Sequence, residues 1–405
     1  AFPEIKSDVV NFLKIRAGYG TSANFPFGYP ISATLNLDTQ SFIKNGGYII
    51  SNTSGSILGN PNLKPERIDE IEFGVEGRFL NNRLRMDLSI YNKKTNDLII
   101  DRPLDPSTGY TLTKTNIGLI ENKGVELDLS MDWIQSNDGI NLSTSLNWST
   151  NDAIVIDLGE DTDRIVYAGF GTLGNAAIPG ESLGSIIGSS ITRSGATIEA
   201  SRWVGGDGGL VVNNQGSYDE TFDPTIIGDA NPDWIANISN NVSYKNLSLN
   251  FLFNFQAGGD IYSTTVATLL GRGLTTDTLD RELSFILPGV NNGQPNNKQI
   301  NNSTFYFSNV LYGPDEMRMY DATHWRLGEV SISYSLPKSL IDNTPFGNIS
   351  ITASGFNLFY DAINMPDGTN FDPNIAGVGV GNGRGFDFLN GPSAKRYGAS
   401  VKLTF

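Results

Sequence analysis

Residues 395–405 read Lys-Arg-Tyr-Gly-Ala-Ser-Val-Lys-Leu-Thr-Phe and alternate strictly between apolar and polar. Side chains change face with period two along a strand, so Tyr397, Ala399, Val401, Leu403 and Phe405 share one side. Arg396, Gly398, Ser400, Lys402 and Thr404 share the other. An apolar face backed by a polar face bearing Arg and Lys suits a strand with lipid on one side and a wet lumen on the other. One such strand could also edge a soluble sandwich, so the fold class rests on its companions.

The same alternation recurs along the chain. It predicts antiparallel strands over residues 68–79, 83–94, 120–134, 233–244, 246–257, 325–336, 347–358 and 394–405, with others at 13–19 and 140–148. Short connections set their register. Folding at Asn81-Asn82 pairs Phe79 with Leu84, Val75 with Leu88, Phe73 with Ile90 and Glu70 with Lys93. Folding at Lys245-Asn246 pairs Tyr244 with Leu247, Val242 with Leu249 and Ile238 with Phe253, leaving Asn240 as a polar intruder on an apolar face. Long Gly-, Asn- and Pro-rich stretches at 21–67, 95–119, 258–324 and 359–393 alternate with the short turns. Consistent alternation of long and short requires two further strands within 151–232, with 184–193 as one candidate. The expected fold is all-β, an antiparallel transmembrane β-barrel wall of about twelve strands.

Composition agrees with this and removes other classes. Only 39 % of residues are hydrophobic, and no window approaches the run of about 20 apolar residues that a membrane helix needs. A barrel strand needs only every second residue to be apolar. There is no cysteine, which excludes disulfide frameworks and thiol chemistry. A formal charge of −15 disfavours nucleic acid as a partner. Aromatics fall at the ends of apolar faces: Phe79, Trp133, Tyr244, Tyr334 and Phe405 at one end, and Tyr19, Trp148, Trp234, Phe255 and Tyr397 at the other. Two such belts flanking an aliphatic band are what a bilayer selects.

Several separate segments are similar to one family, the SusC/RagA-type TonB-dependent receptors of Bacteroidota. Leu13-Lys-Ile-Arg-Ala-Gly-Tyr-Gly20 resembles a mid-barrel strand. Gly59-Asn-Pro-Asn-Leu-Lys-Pro-Glu66 resembles that family's Gly-Asn-Pro-x-Leu-Lys-x-Glu, with Pro65 where an aromatic is common. Asn116-Ile-Gly with Glu121-Asn-Lys-Gly-Val-Glu-Leu127, Pro179-Gly-Glu-Ser-Leu-Gly184 and Gly228-Asp-Ala-Asn-Pro-Asp-Trp234 come next, in the family's order. Trp325-Arg-Leu-Gly-Glu-Val330, Tyr334-Ser-Leu-Pro-Lys-Ser-Leu340 and Gly355-Phe-Asn-Leu-Phe359 complete the series. This resemblance implies a 22-stranded barrel with an N-terminal plug and TonB box, of which residues 1–405 would be the C-terminal part. The plug, the TonB box and the remaining strands are not among these residues. Phe405 resembles a barrel-insertion signal, and with it in the periplasm every long connection lies outside the cell.

The resemblance implies active import of oligomeric nutrients, glycan or peptide, with a SusD-like surface lipoprotein as lid and TonB–ExbB–ExbD as the energy source, through the absent N-terminal region. Two rivals are a passive porin or adhesin barrel, and a soluble all-β lectin or enzyme. His324 is the sole histidine and reads as a rim residue rather than a catalytic one. Asp157, Glu160, Asp161 and Asp163, and Asp367 with Asp372, lack the spacing of a calcium loop. No metal or cofactor is expected. Trp203, Phe305, Tyr306, Phe307 and Tyr312 lie in long connections away from the belts, where flat aromatic faces suit sugar rings or peptide side chains. They are the candidate substrate or partner contacts.

Overall fold

The computed structural model describes the chain apart from residues 1–6, 8, 27, 29, 45–46, 160–161, 170, 195–208 and 376–382. Ten strands form its main sheet: β1 (Val10–Asn24), β2 (Glu66–Phe79), β3 (Leu84–Pro103), β4 (Leu112–Ile134), β5 (Ile140–Asp157), β6 (Trp234–Tyr244), β7 (Leu247–Ala257), β8 (His324–Ser335), β9 (Asn348–Ala362) and β10 (Arg396–Thr404). Each pairs antiparallel with the next in chain order, and the short segment Ile57–Leu58 adds to β4 in parallel. The sheet does not close on itself: β1 and β10 are its edges.

Register obeys the hydrophobic pattern. Phe79 faces Leu84, Val75 faces Leu88, Phe73 faces Ile90 and Glu70 faces Lys93. Tyr244 faces Leu247, Val242 faces Leu249 and Ile238 faces Phe253. The first turn is wider than two residues, with Leu80, Asn81 and Asn82 all at positive φ (54°, 57° and 64°). At the second, the left-handed residue is Lys245 at 52°, while Asn246 donates its amide to the Ser335 carbonyl at 2.7 Å. Asn240 also finds a partner. The Trp133 indole donates to Thr144 Oγ1 at 3.0 Å, and Thr144 donates onward to Asn240 Oδ1 at 2.7 Å. This short polar chain satisfies three groups on an apolar face, where each would otherwise be costly.

The apolar face is bare. Ile15, Phe73, Val401 and Tyr397 are 76 %, 59 %, 62 % and 77 % exposed, although their neighbours across the strands are also apolar. Buried apolar clusters lie elsewhere, in the long connections and at the strand ends that meet them. One joins Leu173, Ile186, Ile227, Tyr262, Met319 and Phe386, drawn from three connections. A second gathers Ile261, Val266, Ala267, Leu270, Val310, Met365 and Phe371 around helix α1 (Thr264–Gly271). Ser263 caps that helix by accepting from Val266 N–H, and donates its own hydroxyl to buried Asp387 at 2.7 Å. The described residues of 158–233, 258–323 and 363–395 therefore fold together as a cap.

Two expectations are corrected here. Among the described residues the wall has ten strands, not about twelve, because those of 151–232 add none beyond the end of β5. The candidate at 184–193 does form a strand, Ser185–Ile191, but in a separate four-stranded sheet of the cap. All seven of its residues are buried, so it has no alternating face to offer lipid. The expected loop 95–119 is also mostly ladder, since β3 and β4 stay paired out to Pro103 and Leu112. There Ile100, Ile120 and Val155 bury against Leu158, Ile165 and Ala177 of the cap, so apolar rungs continue past the band.

Opposite faces at adjacent residues give a direct check. Leu129→Arg puts a cation on the apolar face and is expected to cost about 2–4 kcal/mol near a bilayer midplane. Ser130→Arg, on the polar face beside Ser145, is expected to assemble at wild-type level. Heat-modifiable migration of both variants measures this; equal loss at 129 and 130 contradicts the faces.

Candidate functional site

The polar face of the sheet divides in two. On β1–β4 it is charged, with Arg16, Glu72, Glu76, Arg85, Asp87, Asp128 and Asp132 at polar-face positions. Arg16 holds Glu72 at 3.2 Å and Asp87 at 2.7 Å, tying three strands. On β5 up to Asn151, and along β6 and β7, the corresponding positions carry Asn, Ser, Gln, Ile and Leu, and no charge. Rows of hydroxyls and amides result. Ser143, Asn241, Asn250, Ser331 and Ser354 form one, and Asn141, Ser243, Ser248, Ser333 and Thr352 another.

At the cap end of this neutral region lies a cleft of about 570 Å³. Asn237, Asn254, Gln256, Arg326, Glu329, Asn357, Phe356 and Arg396 line it from β6–β10, and Asn374 of the cap reaches into it. A bulge shapes its floor. Register shifts between Leu327 and Glu329, which lets Arg326 and Glu329 face the same side although three residues apart. Gly328 sits in that bulge, where an added Cβ would lie 2.2 Å from Asn254 Oδ1. Asn254 donates to Asn237 at 2.6 Å, and the Arg396 guanidinium lies 5.3 Å from the Phe356 ring centre.

A buried ion pair fastens the cap above the cleft. Arg326 Nη2 donates to Asp372 Oδ1 at 2.8 Å, with side chains 9 % and 1 % exposed. Arg326 Nη1 reaches Asn357 Oδ1 at 3.2 Å. His324 packs against the same guanidinium: its Nδ1 is 2.8 Å from the Ala322 carbonyl and its Nε2 3.3 Å from Arg326 Nη2. A carbonyl can only accept and a guanidinium only donate, so the ring is held as the Nδ1–H tautomer. This histidine is a structural element of the rim. Inside the cap, burial pushes the Tyr262 phenol up to about 12, keeping it a donor to Asp315 at 3.1 Å while Arg318 donates to it.

The sequence-predicted contacts separate into two groups. Phe305 and Tyr306 pack on cap cores, with Phe285 5.8 Å from Phe305 and Tyr306 5.2 Å from it. Both are half-buried there. Phe307 and Tyr312 are 44 % and 59 % exposed, 5.0 Å apart, with Arg272 over both rings and donating to the Tyr312 hydroxyl at 3.0 Å. Trp203, Glu160 and Asp161 lie outside the described residues. The same stretch, 300–312, also carries buried Ile300, Asn309, Val310 and Leu311, which hold the cap cores. Asp372 is spent on Arg326, and no cluster of three or more metal-ligating side chains occurs among the described residues.

On the opposite face, Phe79, Trp133, Tyr244 and Tyr334 stand at the short-turn ends of β2, β4, β6 and β8. Trp148 and Tyr397 lie towards the cap ends of β5 and β10. Phe405 is 88 % exposed, its ring 5.1 Å from Phe346. Sequence reasoning missed Asn237, Asn254, Arg326, Glu329 and Arg396. The available signal was a charge placed on either side of Gly328 within an otherwise uncharged stretch of wall.

Residues 8–203 match the family model described as TonB dependent receptor-like, beta-barrel. TonB-dependent receptor P3 of Formosa agariphila is 26 % identical over 420 residues, covering 98 % of this chain and 40 % of that protein. TonB-dependent receptor P26 of the same organism is 28 % identical over 412 residues, with 97 % and 40 % covered. TonB-dependent receptor SusC of Bacteroides thetaiotaomicron is 29 % identical over 168 residues, 40 % of this chain and 17 % of SusC. Among solved structures, the RagAB peptide transporter superposes with a TM-score of 0.70 at 21 % identity, over 99 % of this chain and 42 % of that one. The last match is one of fold. The chain spans 40 % of the length of the first two relatives.

Breaking the ion pair should free the cap locally. Arg326→Met leaves the Asp372 carboxylate buried without its cation, at an expected cost of about 3–5 kcal/mol. Hydrogen exchange should rise in 363–375 while β6 and β7 keep their protection. Unchanged exchange there contradicts a fastening role.

Proposed function

We propose that this chain, part of an outer-membrane β-barrel of the TonB-dependent receptor type, belongs to an active importer of oligomeric nutrients. The observation that carries the reading is the cap: three connections share cores, and one of them, 363–395, is fastened over the polar face to β8 by a buried ion pair. A passive pore works through an open mouth. A mouth covered by a folded layer instead fits a cycle in which ligand is held and then released inward. The exposed edges of β1 and β10 fit pairing with strands outside these residues, because unpaired backbone groups are not tolerated in hydrocarbon.

The TonB–ExbB–ExbD complex is the energy source on this reading, through a plug and TonB box elsewhere in the protein. A SusD-like lipoprotein would sit on the cap, and the exposed Phe307–Tyr312–Arg272 group suits it as a contact. A cation over two exposed rings is the kind of anchor that protein interfaces use. The bare apolar face argues against a soluble lectin, which would leave Ile15 and Val401 in water.

The test is uptake of labelled oligomers by the source bacterium, with its receptor gene intact or deleted and with TonB present or absent. Loss of uptake in both deletions is expected. Uptake that needs the receptor but survives TonB loss would support the passive porin instead. In the same strain, Phe307→Ala with Tyr312→Ala should reduce lipoprotein co-purification while leaving the barrel assembled.

A further inference from the structure

We propose that the outward, apolar side of the sheet, where β2, β3 and β4 run up towards the cap, docks a phosphate-bearing lipid headgroup. The proposal concerns the lipid side of the wall and does not depend on the import reading. It starts from the rungs of the ladder. Ala17, Phe73, Ile90 and Val125 make one rung, wholly apolar. Two residues on, the same face reads Tyr19, Ile71, Asn92, Lys123 and Asp152, and then Thr21, Asp69, Lys94, Glu121 and Ile154. Ala23, Arg67, Asn96, Leu119 and Asp157 follow. The face therefore turns from apolar to charged within about 7–13 Å of strand. Tyr19 stands where this begins, and a bilayer places tyrosines at headgroup depth.

The charges on these rungs are Arg67, Lys94 and Lys123 against Asp69, Glu121, Asp152 and Asp157, so a count alone does not favour an anion. Their depth decides it. Asp69 accepts from Tyr19 at 3.2 Å, from Arg67 at 2.8 Å and from Asn96 at 3.3 Å. Glu121 accepts from Asn92 at 2.9 Å and lies 2.9 Å from the Lys123 ammonium and 3.6 Å from that of Lys94. The side chains of these two acids are only 23 % and 18 % exposed, whereas those of Arg67, Lys94 and Lys123 are 63 %, 52 % and 60 % exposed. The acids are spent underneath, and the cations stand over them with N–H donors to spare, since an ammonium has three and a guanidinium five. Asp152 and Asp157 lie to one side on β5, and Asp157 accepts from Gly159 N–H at 3.2 Å. Arg102, further along β3, stands apart in a hollow with Asp163 and Arg164 of the cap.

Raised cations on neighbouring strands, about 4.8 Å apart, suit a phosphate, whose several oxygens accept charge-assisted hydrogen bonds from more than one donor. A lipid is the occupant because the cations continue, rung by rung, a face that already meets hydrocarbon. A long Lys or Arg stem can lie along that apolar surface while its head reaches the polar layer. The opposite end of the same face has no counterpart: Phe79, Leu84, Met131, Trp133, Tyr244 and Tyr334 carry no charge there. Within β6–β10 the cap end of that face bears Trp234, Trp325 and Tyr397, with Asp361 as its charge. The site therefore belongs to one leaflet and to one side of the wall.

The test uses the purified full-length receptor in detergent. Native mass spectrometry counts bound lipid A in its monophosphorylated and dephosphorylated forms, with inorganic phosphate as a competitor. Wild type is expected to hold the monophosphorylated form about tenfold tighter or more, without displacement by an equal concentration of phosphate. Arg67→Gln, Lys94→Gln and Lys123→Gln together should abolish that preference, with heat-modifiable migration unchanged, while Lys94→Arg with Lys123→Arg keeps it. Lys14→Gln, Arg78→Gln and Lys93→Gln, which remove three cations from the polar face, should also keep it. If the first triple variant does not assemble, Lys94→Gln alone should lower the preference by about fivefold. No preference in wild type, equal loss from both triple variants, or displacement by inorganic phosphate overturns the proposal. So does a triple variant that keeps its lipid and loses a protein partner instead. Oligomer uptake tests the import reading separately from each of these results.

Discussion

A backbone amide placed in hydrocarbon has no water to turn to, so each one must be paired within the protein. Here that constraint is met by the ladder of β1–β10, and the ladder governs the rest of the molecule. Once strands are locked in register, every residue is committed to one face. A slip of one residue would send Phe73 and Leu88 inward and Glu72 and Asp87 into lipid. The register breaks only locally within β6–β10, at Gly328 and beside Asn357, which holds φ at 58°. Both breaks border the cleft. The bulge turns Arg326 and Glu329 to the same side, so the site exists because the ladder is interrupted there.

The wall and the cap obey different rules. In the wall, apolar side chains face outward, and the polar face carries ion pairs or amides that a wet interior can accommodate. The cap is an ordinary folded body, with Tyr262, Phe386, Ile186 and Met319 almost fully buried. They meet where β3–β5 extend past the apolar band and at the Arg326–Asp372 pair. A single buried ion pair adds little net stability over an apolar contact, but removing one partner is expensive. That asymmetry suits a fastening that must hold one arrangement and fail distinctly when broken.

Period-two alternation made the wall legible before any coordinates. Strand faces, hairpin pairings and the aromatic ends of β2, β4, β6 and β8 are all consequences of it. The cap was not legible, for a physical reason. Strand Ser185–Ile191 is buried on both faces, so its sequence shows no alternation and offers no clue to its sheet. Packing likewise sets half-buried Phe305 and Tyr306 apart from exposed Phe307 and Tyr312, although all four stand in one short stretch. The cleft residues were hidden because Asn and Ser on a polar face look alike whether or not they line a cavity. Asp372 was visible as an acid, but its partner lies 46 residues away and only the fold brings them together.

The central claim is that register, with its inversion at Gly328, turns Arg326 and Glu329 to the same, polar side of the sheet. Residues 1–405 contain no cysteine, so single-cysteine labelling along β8, in a receptor with any cysteine elsewhere replaced, reads this directly. In the assembled receptor, a water-soluble maleimide should label cysteines at 329 and 333 and spare those at 330, 332 and 334. Before the bulge, 325 and 327 should be spared, so the spared positions change from odd to even. Labelling that keeps one parity through residue 328, or that reaches both faces equally, would contradict the account.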